Sequence, residues 1–178
     1  AKSVTPAVVA NNKVYDGNTN ETLSSLSLTG VVSPDVVTLT NSAAGFASAT
    51  VGTGKTVTAI GLGLSGAQAL NYTLSAVSAT DLADITAKTV TPAVVANNKV
   101  YDGNTNATLS SLTLTGVVSP DVVTLTNSTA GFASATVGVN KTVTALGLGL
   151  TGAQAGNYVL SAVSATDLAD ITAKTVTP

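Results

Sequence analysis

Three polar residues at alternate positions form the best candidate for a ligand site, and the trio occurs twice. The residues are Asp16, Asn18 and Asn20 in the first instance and Asp102, Asn104 and Asn106 in the second. Side-chain oxygens at alternate positions can wrap a calcium ion, as they do in the first half of an EF-hand loop. The spacing therefore predicts a calcium site in each copy, and no other cofactor is expected.

The rest of the loop departs from the EF-hand pattern. Its sixth position is Glu21 or Ala107 where an EF-hand has Gly, and its twelfth is Ser27 or Thr113 where an EF-hand has Glu. Any further ligands would have to come from a distant pair of acids, Asp81 and Asp84 in the first copy and Asp167 and Asp170 in the second. The competing interpretation is an Asx-rich turn, in which the same side chains bind nearby backbone N–H groups.

Few other residues could perform chemistry. The sequence has no His and no Cys, so an imidazole base, a thiol nucleophile and a disulfide are all excluded. The one Glu is replaced by Ala in the second copy, and nothing brings two carboxylates together as a glycoside hydrolase requires. A Lys–Asn isopeptide bond would have to use Lys13 or Lys55 with Asn71, but neither lysine lies in a clearly apolar strand. We therefore expect no enzymatic activity.

The charge balance narrows the range of partners. Nine acidic residues against seven lysines give a net charge of −2, which is too weak and of the wrong sign for a phosphate-binding surface. Nucleic acid is therefore not an expected partner. No stretch of about 18 apolar residues occurs, so we expect no membrane insertion by this segment. A monomer is expected, with the neighbouring repeats of the same chain as its nearest partners.

The dominant feature of the sequence is a tandem repeat of 86 residues. Residues 1–86 and 87–172 differ at 10 positions, and residues 173–178 begin a third copy or a linker. A unit of this length can close a core of its own, so each copy is predicted to be a separate domain rather than one turn of a solenoid. We expect the segment to belong to a longer array.

Alternating polar and apolar residues predict β-strands through most of each copy. The alternation changes phase near Ala59, because Val57 has one parity whereas Ile60 and Leu62 have the other. A single strand cannot bury both sets on one face. We therefore expect a β-bulge or a switch between sheets at this point, helped by Gly61.

The predicted fold is all-β, because no window has the period of a long amphipathic helix. About seven short strands per copy favour two tandem antiparallel β-sandwich domains of Ig-like architecture. A β-grasp-like sheet in each repeat is the alternative, weakened by the missing helix. The junction from Ile85 to Val94 has no Gly and contains Pro92, so it should be stiff and should join the domains into an elongated rod.

Three motifs, found in order in both copies, resemble a known family. They are Lys13 to Thr19 (Lys-Val-Tyr-Asp-Gly-Asn-Thr), Val51 to Val57 (Val-Gly-Thr-Gly-Lys-Thr-Val) and Gly66 to Leu74 (Gly-Ala-Gln-Ala-Leu-Asn-Tyr-Thr-Leu). Together they resemble the YDG-type repeat of large bacterial surface proteins, among them filamentous-haemagglutinin-like adhesins. The resemblance implies an exported segment at the bacterial cell surface, and it names no ligand.

Two functions are compatible with these features. The first is a non-catalytic stalk or spacer that projects a binding region of an adhesin through its length and stiffness. The second is a multivalent adhesive module, in which each unit binds host glycan, host protein or a neighbouring bacterial cell weakly and the array adds avidity, as in a biofilm. Both place the protein outside the cell.

Overall fold

The computed structural model describes residues 1 to 178, and the chain divides into two compact units. The first unit is Ala1–Ala87 and the second is Lys88–Pro178. Each unit contains nine β-strands, one short 3-10 turn and no α-helix, so the prediction of an all-β fold is confirmed. Neither of the two helical turns is long and apolar enough to cross a membrane.

The strands of the first unit are β1 (Lys2–Ala10), β2 (Lys13–Val14), β3 (Leu23–Thr29), β4 (Thr38–Thr40), β5 (Ala43–Phe46), β6 (Gly52–Ile60), β7 (Gly63–Ser65), β8 (Tyr72–Leu74) and β9 (Ser78–Thr86). Those of the second unit are β10 (Lys88–Ala96), β11 (Lys99–Val100), β12 (Leu109–Thr115), β13 (Thr124–Thr126), β14 (Thr129–Phe132), β15 (Gly138–Leu146), β16 (Gly149–Thr151), β17 (Tyr158–Leu160) and β18 (Ser164–Thr172). The 3-10 turns are Ala69–Asn71 and Ala155–Asn157.

Three sheets build the first unit, and the second unit repeats their order. One sheet has the order β3-β1-β8, a second has the order β2-β9-β6-β5, and a third is the pair β4-β7. The first and last strands of the unit, β1 and β9, are therefore both interior strands of their sheets. Each terminal strand has a partner on both of its sides.

The sequence of β1 shows how a proline fits inside such a sheet. Val4, Pro6 and Val8 point to the interior and are buried. The carbonyl of Val4 accepts a hydrogen bond from the N–H of Ser75, just beyond β8, so the polar backbone groups of Val4 and of Pro6 face the β8 side. Pairing with β8 stops at Val4. Pro6 thus follows the last pair of this ladder, where its missing N–H interrupts no pairing that the strands make.

In one buried cluster of the first unit, Val8 on β1 packs with Leu39 on β4, Ala59 on β6 and Leu62. Val57 and Ala59 on β6 are fully buried, and Val4 on β1 and Ile85 on β9 are each 1% exposed. Burying an aliphatic side chain of this size contributes about 1.5–3 kcal/mol. None of the 10 positions that differ between the copies is buried, so both units close the same core.

The predicted change of phase is present as a switch between sheets. β6 ends at Ile60, which is 51% exposed, and β7 pairs with β4 in a different sheet, next to the buried Leu62. The turn between them uses Gly61, whose φ is +62° and where a Cβ would lie only 2.1 Å from Oγ of Ser42. The switch lies two residues beyond the expected position, because the chain turns where the backbone can adopt a left-handed conformation.

Two pairings in each unit are parallel, which the expectation of purely antiparallel sheets did not include. β1 pairs with β8 through Lys2–Val4, and β9 pairs with β2 through Ile85 and Thr86. The second unit has the same pairs, β10 with β17 and β18 with β11. Alternation along a strand reports which face is buried but not the direction of the neighbouring strand, so the sequence pattern did not distinguish the two arrangements.

Candidate functional site

The oxygens of the predicted calcium loop surround the ammonium group of Lys13. Its Nζ lies 2.8 Å from Oδ1 of Asp16 and 3.2 Å from Oδ1 of Asn18. It also donates to the backbone carbonyls of Asn18 at 3.0 Å and of Asn20 at 2.9 Å. We call the set Lys13, Asp16, Asn18 and Asn20 the lysine cage. The cation that these oxygens surround is therefore the ammonium group of Lys13, which belongs to the chain itself.

The second unit contains the same cage. Nζ of Lys99 lies 2.7 Å from Oδ1 of Asp102, 2.8 Å from the carbonyl of Asn104 and 3.0 Å from the carbonyl of Asn106. An aromatic ring adjoins each ammonium group, with Nζ 5.8 Å from the centre of the ring of Phe46 in the first unit. An ammonium group at this distance from a ring is attracted to its π face.

The loop is held in shape by its own side chains. Gly17 has a φ of +81°, which allows the chain to turn immediately after Asp16. Oδ1 of Asp16 accepts the N–H of Asn18 at 3.1 Å, and Oδ1 of Asn18 accepts the N–H of Asn20 at 2.8 Å. These are the two successive Asx turns of the competing interpretation. Calcium binding stays a prediction, and a calcium ion at this point would have to displace Lys13.

The cage changes the acidity of its carboxylates. Partial burial by itself would raise the pKa of the Asp16 carboxyl, but hydrogen bonds from Lys13 and from the N–H of Asn18 outweigh it and lower the pKa below its usual value. In the second unit the hydrogen bond from Lys99 is the largest cause of the lowered pKa of Asp102. Both aspartates are therefore held in the charged form that the lysine requires.

The cage also joins the two edges of a sheet. Lys13 lies in β2, at one edge of the sheet β2-β9-β6-β5. Asn20 forms a β-bridge with Gly45 of β5, at the opposite edge, and the N–H of Phe46 donates to the carbonyl of Thr19 at 2.8 Å. By holding Asn18 and Asn20, Lys13 therefore links the β2 edge to the loop that covers β5.

A second polar cluster anchors β8. The hydroxyl of Tyr72 donates to Oδ2 of Asp35 at 2.7 Å and accepts the N–H of Val32 at 3.0 Å. Oε1 of Gln68 accepts the N–H of Val36 at 2.9 Å. We call Val32, Asp35, Gln68 and Tyr72 the tyrosine latch. It fixes the turn that follows β3, which contains the cis peptide bond Ser33–Pro34, against the start of β8.

The latch is repeated in the second unit by Val118, Asp121, Gln154 and Tyr158. In the first unit the hydrogen bond to Asp35 is the main cause that raises the pKa of the Tyr72 hydroxyl above its usual value. The hydroxyl therefore keeps its proton, which it needs for donation to Asp35.

The remaining candidate calcium ligands bind the backbone instead. Oδ2 of Asp81 accepts the N–H of Ala10 at 2.9 Å, and Oδ1 of Asp84 accepts the N–H of Gly54 at 2.7 Å. The counterparts in the second unit, Asp167 and Asp170, accept from Ala96 and Asn140. The hydrogen bond from the Ala10 N–H is the largest cause of the lowered pKa of Asp81. Asp81 thereby ties the end of β1 directly to β9.

Lys55, one of the two lysines considered for an isopeptide bond, contacts hydroxyl groups. Its Nζ lies 2.6 Å from Oγ of Ser48 and 3.2 Å from Oγ1 of Thr50. Lys13 is held in its cage, and Asn71 lies in the 3-10 turn that leads into the latch. The hydrogen bonds of these residues thus organise backbone and loops.

Sequence reasoning identified the cage loop but not its cation, and it missed the latch. The signal for Lys13 was its position three residues before Asp16, a spacing that suits a local ion pair. The latch joins Val32 to Tyr72 across 40 positions, and no local pattern encodes such a contact.

A family model for the YDG domain matches the chain twice, at residues 1–80 and at residues 86–166. Comparison with curated proteins and with solved structures gives no match.

Proposed function

The chain belongs to the YDG domain family, and we propose that its units are non-catalytic repeats of a bacterial cell-surface adhesin that act as a stiff stalk or spacer. The observation that carries this proposal is the junction between the units. A single residue, Ala87, separates β9 from β10, and each of these strands is hydrogen-bonded within its own unit. A connection of this length leaves the chain little freedom between domains.

The use of the motif residues supports the same role. Lys13, Asp16 and Asn18 hold a loop of their own unit, and Gln68 and Tyr72 hold a turn of theirs. Residues that define the repeat therefore maintain its fold. We infer an extracellular position at the bacterial surface from the resemblance to surface repeats.

Small-angle X-ray scattering on the two-unit chain and on a four-unit tandem tests this proposal. A stalk should lengthen by roughly 30–40 Å, the length of one strand-built domain, for every added unit. The matched control is the same pair of chains with Gly-Ser-Gly-Ser inserted at Ala87. The native four-unit chain should have a greater average length than the four-unit chain with the Gly-Ser insertions. An equal or smaller average length would refute a stiff stalk.

Weak multivalent adhesion is the second candidate, favoured by a surface cleft in the first unit. The cleft has a volume of about 440 Å³ and is lined by Leu64, Leu74 and Val77 together with Leu70, which is 97% exposed. A contiguous apolar patch, more than a single exposed residue, favours contact with another surface, and Leu70 adds to this patch in the first unit only, because the second has Gly156 at that position. Binding of two-unit and four-unit chains to bacterial cells, host cells and glycan arrays tests it, and a steep dependence on copy number would support avidity.

A further inference from the structure

The positions of the two parallel pairings point to a role under tension. In each unit they lie where the chain enters and where it leaves. β8 pairs with Lys2–Val4, at the beginning of β1, and β2 pairs with Ile85 and Thr86, at the end of β9. A stalk that projects a binding region is pulled through these two ends. This inference rests on the proposed function for the source of the load. The resistance of the strands to that load does not depend on the proposed function.

Pairing covers the terminal strands along almost their whole length. β8 holds β1 from Lys2 to Val4, and β3 continues on the other side from Thr5 to Ala10. β6 holds β9 from Ser78 to Ile85, with a bulge before its last pair, and β2 continues to Thr86. A pull on either terminus therefore acts on a strand whose partners lie beside it.

The direction of the pull relative to the hydrogen bonds decides the resistance. Ladder hydrogen bonds run roughly across the strands. A strand pulled along its own axis loads many of these bonds at once, whereas a strand lifted away from its end loads them one after another. Tension between Ala1 and Ala87 pulls β1 at its beginning and β9 at its end. Because Ala10 contacts Asp81 and Lys13 pairs in parallel with Ile85, the end of β1 and the segment after it run beside β9 in the same direction, so the two strands are pulled in opposite senses.

Each parallel partner is fixed by one of the two polar clusters. Lys13 belongs to β2 and to the lysine cage, and Tyr72 begins β8 and belongs to the tyrosine latch. The two terminal strands are also tied to each other, because Asp81 on β9 accepts the N–H of Ala10 on β1. Slip of either strand past its short partner must therefore disturb a second set of hydrogen bonds.

We propose that each unit is a mechanical clamp, in which the lysine cage and the tyrosine latch anchor the two short parallel strands that resist extraction of β1 and β9. The clamp gives two of the three motifs, residues 13–19 and 66–74, a common role. It acts on the rate of unfolding under load, which is the quantity that governs forced unfolding.

Single-molecule force spectroscopy on the two-unit chain tests the clamp. With handles at the two termini, each unit should open in one event that releases up to about 300 Å of chain, for 86 residues at about 3.5 Å each. The two units should open at similar forces, because the buried aliphatic residues, the cage and the latch of the first unit recur in the second.

The comparison is with a second pulling direction in the same fold. The sequence contains no Cys, so a Thr29→Cys variant with an N-terminal Cys can carry both handles. Thr29 is exposed and lies opposite Thr5, so this geometry peels β1 from its first residues rather than sliding it. We expect the first unit to open at a force several-fold lower than through the termini.

Equal forces in the two directions, or a weaker response through the termini, would overturn the clamp. Neither result would affect the stalk, which is tested without load by the increase in length per unit. Conversely, a flexible junction would refute the stiff stalk and leave the clamp within each unit standing. The scattering experiment can therefore refute the stalk, and the force experiment can refute the clamp, independently of each other.

Discussion

The lysine cage and the tyrosine latch perform the same task with different donors. The cage places one positive charge among oxygens that all lie between positions 16 and 20, whereas the latch uses an uncharged hydroxyl to join segments 40 positions apart. Each holds a short strand that lies parallel to a terminal strand. The comparison teaches that such a strand can be anchored by a charged donor from its own loop or by an uncharged donor that reaches a distant segment.

The largest expected effect is the loss of the caged charge. Lys13→Met keeps most of the aliphatic stem but removes the ammonium donor from Asp16 and from two backbone carbonyls. Since hydrogen bonds to charged groups contribute about 1.5–3 kcal/mol, we expect the first unit to lose about 2 kcal/mol of stability. Urea unfolding of the two-unit chain should then separate into two transitions, with the unchanged second unit as the internal reference.

Lys2→Met is the matched control, because Lys2 is an exposed lysine of the same unit. It should leave the unfolding curve unchanged. If Lys13→Met were as mild as this control, the cage would not anchor β2.

The latch should be weaker than the cage because the Tyr72 hydroxyl makes two hydrogen bonds, whereas Nζ of Lys13 contacts four oxygens. Tyr72→Phe removes the donor to Asp35 and the acceptor for the N–H of Val32 and should cost about 1–2 kcal/mol. Hydrogen exchange at the Val32 amide should accelerate more than exchange at amides of the core strands. Tyr101→Phe, at a position that is 42% exposed, is the control with little expected effect. Unchanged exchange at Val32 would contradict the latch.

The pH dependence of stability should separate the two anchors. The pKa values of Asp16, Asp81, Asp102 and Asp167 are lowered, so the stability they contribute is present above the ordinary aspartate pKa of about 3.9. It is lost as the pH falls through their lowered folded values. The pKa of Tyr72 is raised, so its contribution is present below the ordinary tyrosine pKa of about 10 and is lost as the pH rises through the raised value.

Thermal unfolding between pH 2 and pH 11 measures the loss of stability on the acidic side and on the alkaline side. Lys13→Met should reduce the loss of stability at acidic pH and leave the loss at alkaline pH unchanged. Tyr72→Phe should reduce only the loss of stability at alkaline pH. If both variants reduced the loss of stability on the same side of the pH range, the two anchors would not be chemically distinct.

The smallest expected effect concerns one natural difference between the copies. Gly54 and Asn140 occupy the same left-handed position, with φ of +57° and +51°, and both donate their N–H to an aspartate at 2.7 Å. The left-handed conformation costs most L-residues roughly 1–2 kcal/mol, costs Asn less and costs glycine nothing, so Asn140→Gly should stabilise the second unit by less than about 1 kcal/mol. Gly54→Asn should destabilise the first unit by a similar amount. Calorimetry on the two variants checks the sign, and shifts in the same direction would contradict the explanation.

The sequence predicted what depends on local pattern. The strands, the sheet switch near Gly61 and the turn after Tyr15 follow from alternation and from glycine, both of which act over a few residues. It also located the cage loop from Asp16, Asn18 and Asn20. The sequence did not show whether the oxygens of that loop face a metal ion or Lys13. That depends on the position of β2, which is set by the tertiary structure.

What the sequence did not predict depends on distant segments. The parallel pairs of β1 with β8 and of β9 with β2 join residues about 70 positions apart. The backbone N–H groups that Asp81 and Asp84 accept are 71 and 30 positions away in the sequence. Contacts of this kind are fixed by the closure of the whole core, and a single sequence carries no periodic signal for them.

The central claim is that the motif residues hold the chain's own backbone. A crystal structure of the two-unit chain, grown with millimolar calcium, tests it most directly at the lysine cage. We predict that Nζ of Lys13 and of Lys99 remains within hydrogen-bond distance of the surrounding oxygens in both units. A metal ion about 2.3–2.6 Å from Asp16 and Asn18, with Lys13 turned out to solvent, would contradict the account.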